Sequence, residues 1–290
     1  MLSGLIAPGF FSNGPVRGAL VVGGMVALVS GVVGTFTVLR RQSFSGHALG
    51  DVGATGGAAA FLTGLNPLWG FVGIAIVAAG TIELIGVRRP RARDVAAGLV
   101  LGAGLGLAAL FLFLGSTTST SGSSSSILFG SLFVLSASML PSIIALAAGA
   151  LALVVGCFRM LLLTAVHPDL AAARGVRVRL VGAVYLLALA LAVSLAAETI
   201  GAVLATALLV GPAATALRLT RRPGRAALVA GAVGIAATWL GILLAYDSYT
   251  WPPAGHTWPV SFFIVALVLT FYLLAQLPLE RWLRPGGPRR

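Results

Sequence analysis

The sequence predicts an all-α fold: a polytopic membrane helix bundle with about eight or nine transmembrane helices, its N-terminus outside and its C-terminus cytoplasmic. Three observations carry this. Hydrophobic residues make up 58% of the 290 positions and charged residues only 9%, whereas a soluble domain carries about a quarter charged. The mean hydropathy is +1.03, so the chain cannot cover a water-facing surface. Apolar stretches recur at the roughly 20-residue length that crosses a bilayer core, and arginine falls between them in alternate loops.

The basic excess narrows the function classes. All 19 basic residues are arginine, against 7 acidic ones. A phosphate-binding P-loop needs its lysine, so ATP hydrolysis by that route is excluded, as is Schiff-base chemistry. The single cysteine, Cys157, allows neither an internal disulfide nor a cysteine-rich zinc site. A net charge of +12 could suggest nucleic acid, but arginines between apolar spans read as topology determinants, so no nucleic-acid partner is expected.

The spans follow in order. The chain reads as one transmembrane domain over 1–290. Its apolar stretches are 18–39, 43–64, 67–87, 94–114, 139–163, 178–198, 200–219, 225–246 and 259–279. The first 17 residues lack a basic start and are interrupted by Pro8, Asn13, Gly14 and Pro15, so they do not read as a signal peptide. Ile127–Ala137 is too short to span and reads as re-entrant or interfacial. Ser116–Ser126 reads as a flexible outside loop. Arg40-Arg41, Arg88 to Arg93, Arg174 to Arg179, Arg218 to Arg225 and Arg281 to Arg290 cluster on one side, which the positive-inside rule makes cytoplasmic. The 38 glycines suit close helix packing in lipid. Pro212 is expected to kink or break its helix, which either lines a pathway or serves packing alone.

Few polar residues lie at membrane depth, where an ionisable side chain costs roughly 2.5–3.5 kcal/mol on insertion scales. His47 and Asp51 are four apart, so a helix stacks them on one face. Residue 49 lies about 12 Å above Arg41 at ~1.5 Å per residue, a little short of the bilayer middle. An imidazole and a carboxylate together make a half-site for zinc or manganese. The same pair also reads as a buried ion pair that locks helix packing or, as the last alternative, as a proton relay. Glu198, between two spans, reads as a hydrated carboxylate near the outer interface or as a residue that admits cations. Glu83, one turn before Arg88, reads as snorkelling or paired. His256 reads as a solvated loop histidine beside Trp251 and Trp258, which suit an interfacial belt.

A short helix is expected over His167–Val176. Pro168 lies in its first turn, Asp169 complements the positive helix start, and Gly175 ends it. Facing the cytoplasm, it is a docking element or an ordinary loop helix.

Three stretches then carry a resemblance. They are Val38–Leu49 with its Arg40-Arg41 and Ser45-Gly46-His47-Ala48-Leu49, the segment His167–Val176, and the run Ala202–Ala216 with Gly211-Pro212-Ala213-Ala214. Together they resemble bacterial metal-ion ABC transporter permeases of the zinc/manganese (ABC-3) family, in the expected order and over roughly 15–280. The order of the acid and the imidazole is reversed here, at the same spacing. The family's Leu-Pro-Gly becomes Ala54-Thr55-Gly56.

The resemblance implies a non-catalytic permease subunit that moves a divalent cation inward, zinc before manganese. It implies metal contact at His47 and Asp51, and an ATPase-coupling segment comprising His167, Asp169, Leu170, Ala172, Arg174 and Gly175. No permanently bound cofactor is expected. The implied partners are separate ATP-binding subunits, an extracytoplasmic metal-binding protein, a second copy of the chain and membrane lipid. The implied location is the bacterial inner membrane, as a multi-pass protein. Rival readings are a permease for another solute such as an iron chelate, a standalone proton-coupled carrier, and an intramembrane protease. The protease needs a Ser–His or paired-Asp arrangement within the bilayer; Ser30 and Ser194 are available, but there is no paired aspartate.

Overall fold

The computed structural model describes residues 10, 13–86, 90–118, 130, 132–133, 137–251 and 258–277. The regular elements among them are α1 (Gly14–Leu39), α2 (Ser43–Leu62), α3 (Pro67–Gly86), α4 (Pro90–Thr118), α5 (Leu140–Gly156), α6 (Phe158–Val166), α7 (Pro168–Ala173), α8 (Val178–Ile200), α9 (Ala202–Leu219), α10 (Pro223–Asp247) and α11 (Val260–Gln276), with short 3₁₀ turns at Ala137–Met139 and Ser248–Thr250. No strand occurs among the described residues. Each of the nine apolar stretches coincides with a helix or, in one case, a pair of helices.

Three boundaries differ from the sequence reading. The stretch 139–163 is not one straight span: α5 and α6 meet at Cys157 at an angle of 61°. α4 runs on through Thr118, so Ser116–Thr118 close a helix rather than opening the loop. The rest of Ser116–Ser126 and most of Ile127–Ala137 lie outside the described residues. So do His256, Arg88, Arg89 and Arg281–Arg290. Pro212 sits inside α9, which continues unbroken from Ala202 to Leu219. Proline withdraws one hydrogen bond from the ladder, and the helix continues through that loss. The break falls instead at Gly201, whose φ of 96° separates α8 from α9 in a region glycine enters at little cost.

By length and composition, five helices among the described residues can cross a bilayer: α1, most of α3, α4 from Asp94, α8 and α10. The bent α5–α6 pair brings the number to six. α9 and α11 are shorter apolar helices. α2 has 20 residues but is diluted by Gly, Ser, Thr, His and Asp. It is sheathed by α3, α4, α8 and α9, which is why thirteen of its residues are buried despite modest hydropathy.

α1 and α8 form the centre of the bundle, and both are buried along most of their length. α3, α4 and α11 lie outside them and expose Val77, Leu84, Leu99, Phe113 and Leu269. A water-soluble protein would hide that surface; a bilayer covers it. The chain is thus a multi-pass membrane protein. Within lipid, hydrophobicity does not draw helices together, so close backbone approach does. Gly34 of α1 lies so close to the Leu209 carbonyl of α9 that a Cβ there would strike backbone, and Gly56 of α2 meets Gly70 of α3 in the same way.

α1 passes into α2 through only Arg40, Arg41 and Gln42. Arg41 takes a left-handed conformation, φ 56°, unusual for a residue with a Cβ. The Gln42 amide donates to Thr37 O at 2.9 Å and the Gly46 amide to Gln42 O at 3.0 Å. α2 is therefore anchored to α1 with no slack.

Candidate functional site

α2 offers one polar stripe. Ala48, Leu49, Gly50 and Val52 are buried, while His47 and Asp51 are 43% and 16% exposed. His47 Nε2 lies 3.5 Å from Asp51 Oδ2, as the i, i+4 spacing requires. His47 Nδ1 lies 3.2 Å from Thr206 Oγ1 of α9. With Thr206 on Nδ1, Nε2 is left as the ring nitrogen for a second partner. Asp51 Oδ1 is buried and finds no hydrogen-bond partner among the described residues. The pair thus keeps acceptor capacity in reserve.

The smallness of α2 lets α9 reach it. At Gly50 a Cβ would sit 3.1 Å from Val193 Cγ1 and 4.0 Å from Thr206 Oγ1, and at Gly46 it would sit 2.8 Å from Leu209 Cδ2. On α9, Thr206, Val210 and Ala214 follow one another at helical spacing and remain half-buried. Among the described residues His47 and Asp51 are likewise only partly buried.

The separation of the two donors has a chemical consequence. An ion about 2.1 Å from both Nε2 and Oδ2, bridging 3.5 Å, would subtend roughly 113°, near the tetrahedral value zinc adopts. No set of three or more His, Cys, Asp or Glu side chains comes together among the described residues. Among the described residues the pair is therefore joined by no third such donor.

The other candidates are placed differently. Glu198 stands in the last turn of α8, just before the Gly201 break, and is only 8% exposed. The packing of the α8 end largely encloses the residue. It is not gathered with His47 and Asp51. Pro212 is buried within α9, one turn and a half beyond Thr206.

The segment after α6 is helical as expected, though shorter. α7 covers Pro168–Ala173, with Asp169 in its first turn. The Gly175 amide donates to Ala172 O at 2.9 Å and the Val176 amide to Ala171 O at 3.0 Å, with Gly175 at φ 78°. Paired carbonyls and a left-handed glycine form a C-terminal cap. Ala171 is buried, whereas His167, Asp169, Leu170, Ala172, Arg174 and Gly175 are exposed. Leu170 shows 44% of its surface, an apolar side chain held outward on a rigid turn.

Two groups of residues have no clear signal in the sequence. Thr206 is one, since a threonine within an apolar run reads as packing. The other surrounds Arg40, which the sequence marks only as a topology charge. Arg40 Nη1 donates to Thr164 Oγ1 at 2.8 Å, and its guanidinium lies 5.1 Å from the centre of the Tyr185 ring. The Tyr185 and Thr37 hydroxyls share a hydrogen bond of 2.7 Å.

Comparison with known proteins follows the same outline. The model of the ABC 3 transport family matches residues 15–276. The manganese transport system membrane protein MntC of Listeria innocua is 30% identical over 242 residues, 83% of this chain and 85% of that protein. The high-affinity zinc uptake system membrane protein ZnuB of Buchnera aphidicola is 25% identical over 226 residues, 78% of this chain and 86% of that protein. Among solved structures, PsaBC from Streptococcus pneumoniae in complex with Fab superposes with a TM-score of 0.81 at 25% identity, covering 98% of this chain and 99% of that one. A match that runs through nearly every helix, on a fold shared over the whole length, identifies the chain as a member of the ABC 3 transport family.

Proposed function

We propose that the chain is the non-catalytic permease subunit of an ATP-driven importer of divalent metal ions. The observation that carries this is the His47–Asp51 pair: an imidazole and a carboxylate 3.5 Å apart on a helix that is otherwise sheathed by its neighbours, with the imidazole 43% exposed. Membrane depth penalises both groups unless they meet a partner, water or a passing ion. Relatives named for manganese and for zinc support the class of cargo.

Nine helical units cross the bilayer in this reading, with α5 and α6 as one bent crossing. The N-terminus is outside and the C-terminus cytoplasmic. Two copies face each other across the stripe of His47, Asp51 and Thr206, and the second copy completes the coordination that one chain leaves open. Glu198 and Pro212 flank the pathway rather than bind the ion. ATP-binding subunits dock on α7 and the residues around it, from His167 to Gly175. A binding protein outside the membrane delivers the metal. The near-tetrahedral span between Nε2 and Oδ2 leans toward zinc; the carboxylate also accepts manganese, the ion named in several relatives.

The deciding experiment reconstitutes the chain with its ATPase and binding protein in vesicles, and follows zinc and manganese entry on ATP addition. Wild type is expected to accumulate metal, and the His47→Ala/Asp51→Ala variant to assemble normally but accumulate none. Wild-type uptake by the variant would remove the pair from the mechanism. Proton movement without metal uptake would favour a proton carrier instead.

A further inference from the structure

We infer that Arg40 is a positioning residue that couples the ATPase-contacting helix α7 to the metal-contacting helix α2. The inference rests on the reading that α7 meets the ATPase. The connection is short and made of named contacts. α7 is separated from α6 by His167 alone. α6 grips the inner end of α1 at two points. The Phe36 and Phe158 rings meet edge to face at 5.2 Å, and Arg40 Nη1 donates to Thr164 Oγ1 at 2.8 Å. Thr164 in turn donates to Leu161 O at 3.1 Å, so its hydroxyl is held ready to accept from Arg40.

Beyond Arg40 the chain has no slack. Arg41 is left-handed and Gln42 is tied back to Thr37. Seven residues after Arg40 stands His47. A displacement of α6 must therefore move the α1–α2 turn or break the charge-assisted hydrogen bond that joins them.

The surroundings of Arg40 argue against a mere interfacial charge. Its guanidinium lies over the face of Tyr185, a fully buried residue of α8 whose hydroxyl bonds Thr37. Packing alone would be served by an aliphatic side chain, without desolvating a cation. A cation with a directional bond to α6 and a face contact to α8 instead defines one relative position of the three helices. Discrete arrangements of such contacts are what allow a movement to be passed on.

The test uses the reconstituted complex with its ATPase and binding protein. It measures metal taken up per ATP hydrolysed in wild type, Thr164→Val, Thr164→Ser and Arg40→Lys. Thr164→Val removes the acceptor without changing side-chain volume much. It is expected to leave assembly and ATP hydrolysis within about twofold and to cut uptake per ATP by about tenfold, the weight of a hydrogen bond to a charged group. Thr164→Ser is expected to restore the wild-type ratio. Arg40→Lys keeps the charge and loses the planar donor geometry, and is expected to fall between the two.

An unchanged ratio in Thr164→Val overturns the proposal, as does a loss of assembly that Thr164→Ser fails to restore. Failure of wild type itself to accumulate metal would instead count against the importer reading, so the two failures are distinct.

Discussion

His47 on α2 and Thr206 on α9 meet across the helix contact, imidazole Nδ1 to hydroxyl oxygen at 3.2 Å. They are 159 positions apart in the chain. With Nδ1 on Thr206, Nε2 is the ring nitrogen that faces Asp51.

Removing that hydroxyl tests the role. Thr206→Val keeps the shape and loses the bond. It is expected to raise the metal concentration for half-maximal uptake by about tenfold or more, within the range such outer partners carry. Thr206→Ser is expected to stay close to wild type. Concentration-dependent uptake in vesicles measures both. Equal curves for Thr206→Val and wild type would mean that the imidazole needs no orientation from α9.

Helix spacing gives a prediction about stability. A methyl group on Gly34 would meet the Leu209 carbonyl, which is backbone and cannot turn away. Gly34→Ala is expected to cost roughly 1–3 kcal/mol, the usual penalty of overpacking. Gly18 lies on the same helix with nothing within 4 Å of a Cβ. Gly18→Ala should be neutral, or slightly stabilising because alanine is the better helix former. Thermal unfolding in detergent separates the two, and matching midpoints would contradict the close approach of α1 to α9.

Orientation is open to a labelling experiment. In a Cys157→Ala background, Leu65→Cys places a thiol in the exposed turn between α2 and α3, where Leu65 shows 66% of its surface. Arg174→Cys places one beside α7, also exposed. A membrane-impermeant maleimide on intact cells should label position 65 directly and position 174 only after permeabilisation. The reverse pattern would invert the topology.

Much of this protein is legible before any fold is known. Hydropathy marks nine stretches, and each coincides with helical structure, because a backbone in lipid must satisfy its own hydrogen bonds and a helix does so locally. The pairing of His47 with Asp51 is also local, since four residues make about one turn. α7 is legible for the same reason: Pro168, Asp169 and Gly175 act within their own turns.

The exceptions are tertiary. Pro212 promised a kink or a break, and α9 runs through it without a break; Cys157 promised nothing, yet α5 and α6 turn there by 61°. Glu198 read as a residue near the outer interface, and the end of α8 is packed around it. Arg40 counted as a topology charge until Thr164 and Tyr185 were found against it.

The sequence by itself determined the membrane class, the helices and the stacking of His47 and Asp51 on one helix face. Only the tertiary structure decided which partner holds the imidazole, which helix bends and where Arg40 is bonded. The division has a physical cause. Hydropathy and helical periodicity act within a few residues, whereas Thr206 and Thr164 gain their roles from glycine-sized gaps and crossing positions that bring distant segments together.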